Sequence, residues 1–231
     1  MKKLTFIFIF HLCFYTFSYA SIIYVKPDEN STAWEGRSPV YTSINDAYKA
    51  SVTNDQIWIA EGVYKFTEKI TLYGKSISFY GGFAGNETAL SQRGKIQGGK
   101  PWDWIHETII EPSVSFPSNT RFMESSGNLS SYTIDGLIFQ NATFSAIQIR
   151  GGGTIQNCIF RNNNGNQLVR VWGAGKIQDS YVHNNIAQTD GLVWGGGTST
   201  SQLAQITGVY IINNQYGNGS TGSGIYSYGN L

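Results

Sequence analysis

Four residues stand immediately before a glycine at the end of short extended segments: Arg150, Trp172, Trp194 and Tyr228. Three are aromatic, and a ring displayed to solvent stacks well on the apolar face of a sugar. Trp172 and Trp194 are expected on adjacent repeats of a common scaffold, as an outward carbohydrate-binding column with Tyr228 and with Arg150 nearby. The seven residues that lengthen the third repeat fall within 195–204, directly after Trp194. Loops longer than a scaffold requires are common places for binding. The structural alternative is that these rings pack beneath that loop or against a neighbouring chain.

Other groups that could do chemistry are incomplete. Arg161 and His183 form the only basic pair expected on neighbouring repeats, and such a pair could take the proton next to a uronic carboxylate while neutralising it. We read it as part of a solvated face. Glycoside hydrolysis needs two carboxyls about 5–10 Å apart, yet the acids after Glu124 are Asp135, Asp179 and Asp190, at different repeat positions or in a turn. The same scarcity leaves no acidic calcium cluster. His11, His106 and His183 are isolated, so no zinc spacing exists. Cys158 reads as a small buried hydrophobe. The glycine-rich stretch 81–88 lacks the following helix that a phosphate cradle uses. No catalytic residue, metal ligand or cofactor is expected.

The elements that must position these residues are marked by repetition. Residues 134–141 read IDGLIFQN, 155–162 IQNCIFRN, 177–184 IQDSYVHN and 206–213 ITGVYIIN. Each opens on an apolar residue, carries apolar or small residues three and five places later, and closes on asparagine. The opening residues Ile134, Ile155, Ile177 and Ile206 lie 21, 22 and 29 residues apart. A strand unit recurring at roughly 20–30 residues signals a solenoid, whose repeats bury their apolar faces only against neighbours. Stacking then places Phe139, Phe160, Val182 and Ile211 in one core column, and Leu137, Cys158, Ser180 and Val209 in another. Alternation turns Ile138, Ile159, Tyr181 and Tyr210 outward, with Gln140, Arg161, His183 and Ile212 on a second outer line. The closing Asn141, Asn162, Asn184 and Asn213 are expected to bond to one another along the axis as a structural ladder, at a rung spacing of ~4.8 Å. Glycine usage supports tight turns in this part, with 9 glycines in residues 1–120 and 18 in 121–231.

Residues 1–20 read as a secretory signal peptide, with Lys2 and Lys3, an apolar run over 4–17 and small residues at 18 and 20. That run is shorter than the ~20 residues that span a bilayer. No later segment is long enough either, so no transmembrane segment is expected once the signal is removed. The remainder carries 14 basic and 15 acidic residues, a net charge of −1, which argues against nucleic acid as a partner. One cysteine is left, so no intrachain disulfide can form. Residues 21–231 are expected to make one domain, with a cap and first rungs over 21–88, an irregular excursion over 89–131 and regular rungs over 132–231. Within the cap, residues 42–51 change to a helical period. Ile44, Ala47 and Tyr48 share a face, and Ser43 stands three residues before Asp46 as in a capping box.

The order of a strand followed by WEGRSPVYTSINDAYKAS, QIWIAEGVYK and YGGFAGNET resembles the amino-terminal region of secreted bacterial right-handed parallel β-helix proteins, in the broad pectate-lyase-like superfamily. It is also similar to the polymorphic surface proteins that share such repeats. The resemblance covers residues 21–231. It implies an all-β, right-handed parallel β-helix (solenoid) with a short N-terminal capping helix. This fold hosts lyases, hydrolases, tailspikes and adhesins, and the acidic clusters its enzymes carry on central rungs are missing here. The expectation is a secreted or cell-surface, non-catalytic polysaccharide-binding or adhesion module, with polysaccharide or a host or cell-surface glycan as its partner. The alternative is a fragment of a polysaccharide lyase or glycoside hydrolase without its catalytic rungs. No cap helix follows the final rung before Leu231, so that rung is expected to be incomplete or in end-to-end contact with another chain.

Overall fold

The computed structural model describes residues 20–125, 130–188, 191–197, 203–217 and 224–228. The expected signal peptide up to residue 19, Asp190, most of the loop after Trp194 and the last residues lie outside that set. Strands of two to seven residues are too short to bury a face alone, and the chain gives each one parallel neighbours by returning to it. Tyr132–Asp135 lies in sheet 1, Ile138–Gln140 in sheet 2 and Ile147–Arg150 in sheet 3, and Thr154–Gln156 is back in sheet 1 beside its predecessor. Sheet 1 has eight strands, and sheets 2 and 3 have six each. A small fourth sheet gathers Asn164–Gly165, Ile186–Ala187 and Gln215–Tyr216. Every strand pairing among the described residues is parallel, and only the isolated bridge between Lys95 and Trp104 is antiparallel. The architecture is all-β, with long parallel sheets and few helices, and it is compatible with a parallel β-helix.

Register follows the repeats. Ile134, Ile155, Ile177 and Ile206 pair in succession in sheet 1, as Phe139, Phe160, Val182 and Ile211 do in sheet 2. All but the last of each column are fully buried, and the Phe139 and Phe160 rings stack at 5.1 Å and 6°. Burying such a side chain stabilises the fold by ~1.5–3 kcal/mol. Pairing begins well before Tyr132: Gln56–Ala60, Gly62–Phe66 and Ile70–Leu72 already occupy sheets 1, 2 and 3. Thr108–Pro112 and Met123–Ser125 continue the latter two. Within the expected excursion Thr108–Pro112 and Met123–Ser125 thus pair in sheets 2 and 3, while residues 84–107 lie outside the sheets as a strap.

Asn141, Asn162, Asn184 and Asn213 do not form the ladder. They are exposed at a chain bend, with φ of 60°, 55°, 54° and 54°. Asparagine tolerates this left-handed conformation better than most non-glycine residues, and the bend sends the next side chain inward. The ladder belongs to those next residues. Nδ2 of Asn163 donates to Oδ1 of Asn185 at 2.9 Å, and Nδ2 of Asn185 donates to Oδ1 of Asn214 at 2.9 Å. The same amides also reach the carbonyls of Phe139 and Phe160, groups that would be costly to bury unpaired.

Helix α1 (Ile44–Ala50) starts where the Ser43 Oγ accepts from the Asp46 amide at 3.2 Å, and it buries Ile44, Ala47 and Tyr48. Lys75 donates to the carbonyls of Tyr48 and Ser51 at its other end, where the helix dipole is negative. No helix among the described residues is long and apolar enough to cross a membrane.

The strap is latched onto sheets 1 and 2. Arg93 donates to the Gly81 carbonyl at 3.1 Å and to both Asp135 carboxylate oxygens at 3.3 Å, among the rings of Tyr80, Phe83 and Trp104. Gly82 makes room for Trp104: its φ is 83°, and a Cβ there would meet the indole at 2.8 Å. Trp102 covers Ile138 and Ile159 and stacks on Tyr181 at 5.5 Å. The line expected to face solvent does point away from sheet 2, but the strap buries much of it.

Candidate functional site

In sheet 3 the inward residues Ile147, Ile149, Val169, Val171 and Val193 are fully buried, so their alternates face outward. The outward residues form two columns, where one was expected. Gln148, Arg170, Trp194 and Tyr226 make the first, and Arg150, Trp172, Gly196 and Tyr228 make the second. The cause lies in the core: Val193 pairs with Val169, which puts tryptophan second in Val193–Gly196 but fourth in Val169–Trp172. Gly196 bridges the offset. A Cβ there would lie 2.8 Å from Trp172 Cζ3 and 2.7 Å from Trp194 Cη2, so its missing side chain lets both rings lean over it.

The two indoles stack at 4.7 Å and 8°, and Tyr226 continues the stack from Trp194 at 6.3 Å and 15°. The Arg170 guanidinium lies 4.1 Å from the Trp194 ring centroid and 5.2 Å from that of Trp172, cation–π contacts worth about 0.5–2 kcal/mol each. Trp194 is 6% exposed and Tyr226 40%; Trp172, Arg150 and Arg170 are half-buried. The facing sides of the indoles thus cover each other. What they offer outward is their edges and the side of Trp172 turned toward the repeat of Arg150, its register partner. Tyr228 holds the next place in the Trp172 column, and its side chain lies outside the described residues. Tyr226 escaped sequence reading because it stands three residues before the glycine used as the marker.

Further along this face Glu124 accepts from Lys69 at 2.6 Å, Gln148 at 3.1 Å and Arg121 at 3.5 Å. Burial alone would raise its carboxyl, but the Lys69 hydrogen bond and the charges of Arg121, Lys69 and Arg150 hold it below the usual carboxylate range. The Arg150 guanidinium makes no hydrogen bond or ion pair to a described residue. Among the described residues, four cations, Lys69, Arg121, Arg150 and Arg170, therefore share this face with the carboxylate of Glu124.

The remaining candidates are committed elsewhere. Arg161 and His183 are neighbours on the outward face of sheet 2, but Arg161 grips both Glu107 oxygens at 3.2 and 3.1 Å and Gln140 at 3.0 Å. His183 stacks on Tyr181 at 4.3 Å, and burial, then the charge of Arg161, lowers its pKa. Glu107, on the strap, is 54 positions from Arg161, a distance at which repeat spacing carries no information. Asp135 is taken by Arg93, Gln156 and Asn157. Cys158 is fully buried, which pushes its thiol up to about 12 and leaves it inert at neutral pH. Among the described residues no three His, Cys, Asp or Glu side chains are placed to hold a metal. A groove of about 500 Å³ lies away from sheet 3, beside α1, between Pro27, Asn45, Val63, Lys65 and Glu68.

Fold and face together define an all-β protein of stacked parallel sheets with an arginine–tryptophan patch on one of them. No protein-family model, curated protein or solved structure matches the chain.

Proposed function

We propose that this chain is a secreted or cell-surface right-handed parallel β-helix of pectate-lyase-like type, capped by α1, and that it binds polysaccharide or a cell-surface glycan through the outer face of sheet 3. The cyclic visit to three parallel sheets, the packing of α1 and the leader-like residues 1–20 support the first part. The observation that carries the second is the stack of Trp172, Trp194 and Tyr226 with Arg150 beside it. Rings already held by one another lose little freedom when a ligand arrives. The side of Trp172 turned toward Arg150 suits one sugar ring, and the guanidinium is placed to donate to its oxygens. The cations along the face favour an anionic glycan.

Affinity electrophoresis through gels containing neutral or anionic glycans tests this reading. Trp172→Ala and Arg150→Ala should each weaken retardation about tenfold, the scale of one aromatic or charge-assisted contact. Trp194→Ala should do so by releasing Trp172. Unchanged retardation in both tryptophan variants would sink the site. The rival reading, a fragment of a polysaccharide lyase or hydrolase, leans on Arg161 and His183, and turnover to unsaturated uronate that Arg161→Ala abolishes would replace our proposal. The same fold reading allows the last described repeat, with Tyr210, Ile212 and Ile225 exposed, to meet another chain end to end. Light scattering would register that contact as association rising with concentration.

A further inference from the structure

The first strand of sheet 1 begins beside a carboxylate that lacks a cation. Asp55 is 3% exposed, and among the described residues no lysine, arginine or histidine nitrogen forms an ion pair with it. A buried charge without a partner is destabilising, and the other buried acids offset this in two ways. Asp135 holds Arg93, and Glu87 closes its own turn by accepting from the amides of Ala84, Gly85 and Asn86. Asp55 uses only one oxygen locally: Oδ2 accepts the Val52 amide at 2.8 Å. Its Oδ1 reaches 34 positions back to Ser21, accepting from the backbone nitrogen and from Oγ, both at 2.9 Å. Gln56 donates its amide to the Ser21 carbonyl at 2.9 Å, so residue 21 is held from both sides at the head of Ile22–Val25. Lys75 acts on Asp55 through space, with its Nζ donating to the carbonyls of Tyr48 and Ser51. Ala20 and Ser21 are both exposed, so the bond between them lies at the surface.

We propose that cleavage between Ala20 and Ser21 is a maturation step that supplies the missing cation: the new α-ammonium of Ser21 pairs with Asp55 and locks the first strand of sheet 1. The inference rests on reading residues 1–20 as a removable leader and gives that removal a structural consequence. Hydrolysis adds one water across the amide, its hydroxyl going to the Ala20 carbonyl carbon and its hydrogen to the Ser21 nitrogen. The acid then passes its proton to the amine, which leaves a carboxylate on Ala20 and an ammonium on Ser21. The nitrogen that carries the new charge is the one already 2.9 Å from Oδ1. A neutral hydrogen bond thereby becomes a charge-assisted one, roughly twice as strong. Because Ser21 is exposed, water solvates the remaining ammonium protons, and much of the desolvation that burdens a fully buried pair is avoided. Ile22–Val25 pairs with both Gln56–Ala60 and Val40–Tyr41, and its Ile23 and Val25 share the core with Ile44 and Ala47 of α1. The lock therefore acts on the strand that carries the cap.

Urea denaturation compares a chain that begins at Ser21 with one that carries a short uncharged Gly/Ser extension before it, each with the natural Asp55 and with Asp55→Asn. The extension keeps position 21 an ordinary amide and moves the terminal charge away. With Asp55 in place, the chain that begins at Ser21 should have an unfolding equilibrium constant about fivefold smaller than the extended chain, the step from a neutral to a charge-assisted hydrogen bond. In Asp55→Asn the ratio should fall to about one, because the side-chain oxygen remains and its charge does not. A ratio below about twofold with Asp55 in place, the scale of a pair that contributes nothing measurable, would overturn the pairing. The same ratio in Asp55→Asn as with Asp55 would overturn it too. N-terminal sequencing of the full chain after export tests the leader by itself. A start at Ser21 supports the maturation step, whereas a start elsewhere overturns the leader reading and the step with it, whatever the urea comparison gives.

Discussion

Asn184 and Asn185 are adjacent in sequence and opposite in role. Asn184 bends the chain at a φ of 54°, exposed, and glycine adopts that conformation at no steric cost. Asn185 is fully buried, donates to the Phe160 carbonyl at 2.9 Å and accepts from both the backbone and side-chain amides of Asn163. Asn185→Ala should cost about 2–4 kcal/mol in urea denaturation, since several buried groups lose their partner, while Asn184→Gly should stay within about 0.5 kcal/mol. A loss below about 1 kcal/mol at Asn185 would remove the ladder from the account of stability. The doublet was visible in the sequence, but which asparagine turns inward depends on the bend between them, and composition does not report a φ angle. His183 adds a pH dependence at the same scale. Its folded pKa lies below 6.5, so the unfolded chain takes up the proton first. Its contribution is intact above pH 6.5 and is lost as pH falls through the folded value. Denaturation midpoints of the natural chain should therefore drop more steeply just below pH 6.5 than those of His183→Phe, and parallel curves would contradict the assignment.

The strap shows what an element can hide from sequence reading. Its break with the repeat was legible, because Trp102, Trp104 and the basic residues around them follow neither strand nor helix period. Its destination was not. Arg93 meets Asp135 across 42 positions and the Trp104 Nε1 donates to the Asn157 carbonyl across 53, and no periodicity links such pairs. The outward lines deduced for sheet 2 were right in direction and wrong in exposure for the same reason. The Arg93–Asp135 pair has side chains only 10% and 4% exposed, and breaking a buried pair from one side leaves a charge without its partner at about 3–5 kcal/mol. Arg93→Ala should therefore free the strap before it unfolds the sheets. Limited proteolysis should cut within 93–105 while the far-UV circular dichroism of the sheets persists. Resistance equal to that of the natural chain would mean that Trp102 and Trp104 suffice as the latch.

At the scale of the molecule each strand of the three large sheets pairs only with its immediate neighbours, so away from the strap, where Trp102 spans Ile138, Ile159 and Tyr181, stability should be largely a local sum. The core columns are fully buried at Ile155, Ile177 and Val182, whereas in the last described repeat Ile206 and Ile211 are only half-buried and Ile225 is 48% exposed. Its strands Tyr210–Ile212 and Ile225–Tyr228 pair on one side only among the described residues. Amide hydrogen exchange should accordingly be fastest there and slow progressively toward Ile147–Arg150, following the local opening free energy. The aromatic stack crosses this gradient. Trp172 and Trp194 stand on buried cores, while Tyr226 belongs to the open repeat, an arrangement the sequence concealed because both tryptophans precede a glycine although the register is set by Val169 and Val193. A glycan held by all three rings would tie the weak repeat to the strong ones. At a ligand concentration one hundred times the dissociation constant, exchange at residues 225–228 should slow by up to about one hundredfold, equivalent to about 2.7 kcal/mol, with little change at Ile147–Arg150. Slowing confined to residues 169–172 would instead place the ligand on Trp172 and Arg150 alone, and no slowing in either strand would remove the ligand from sheet 3.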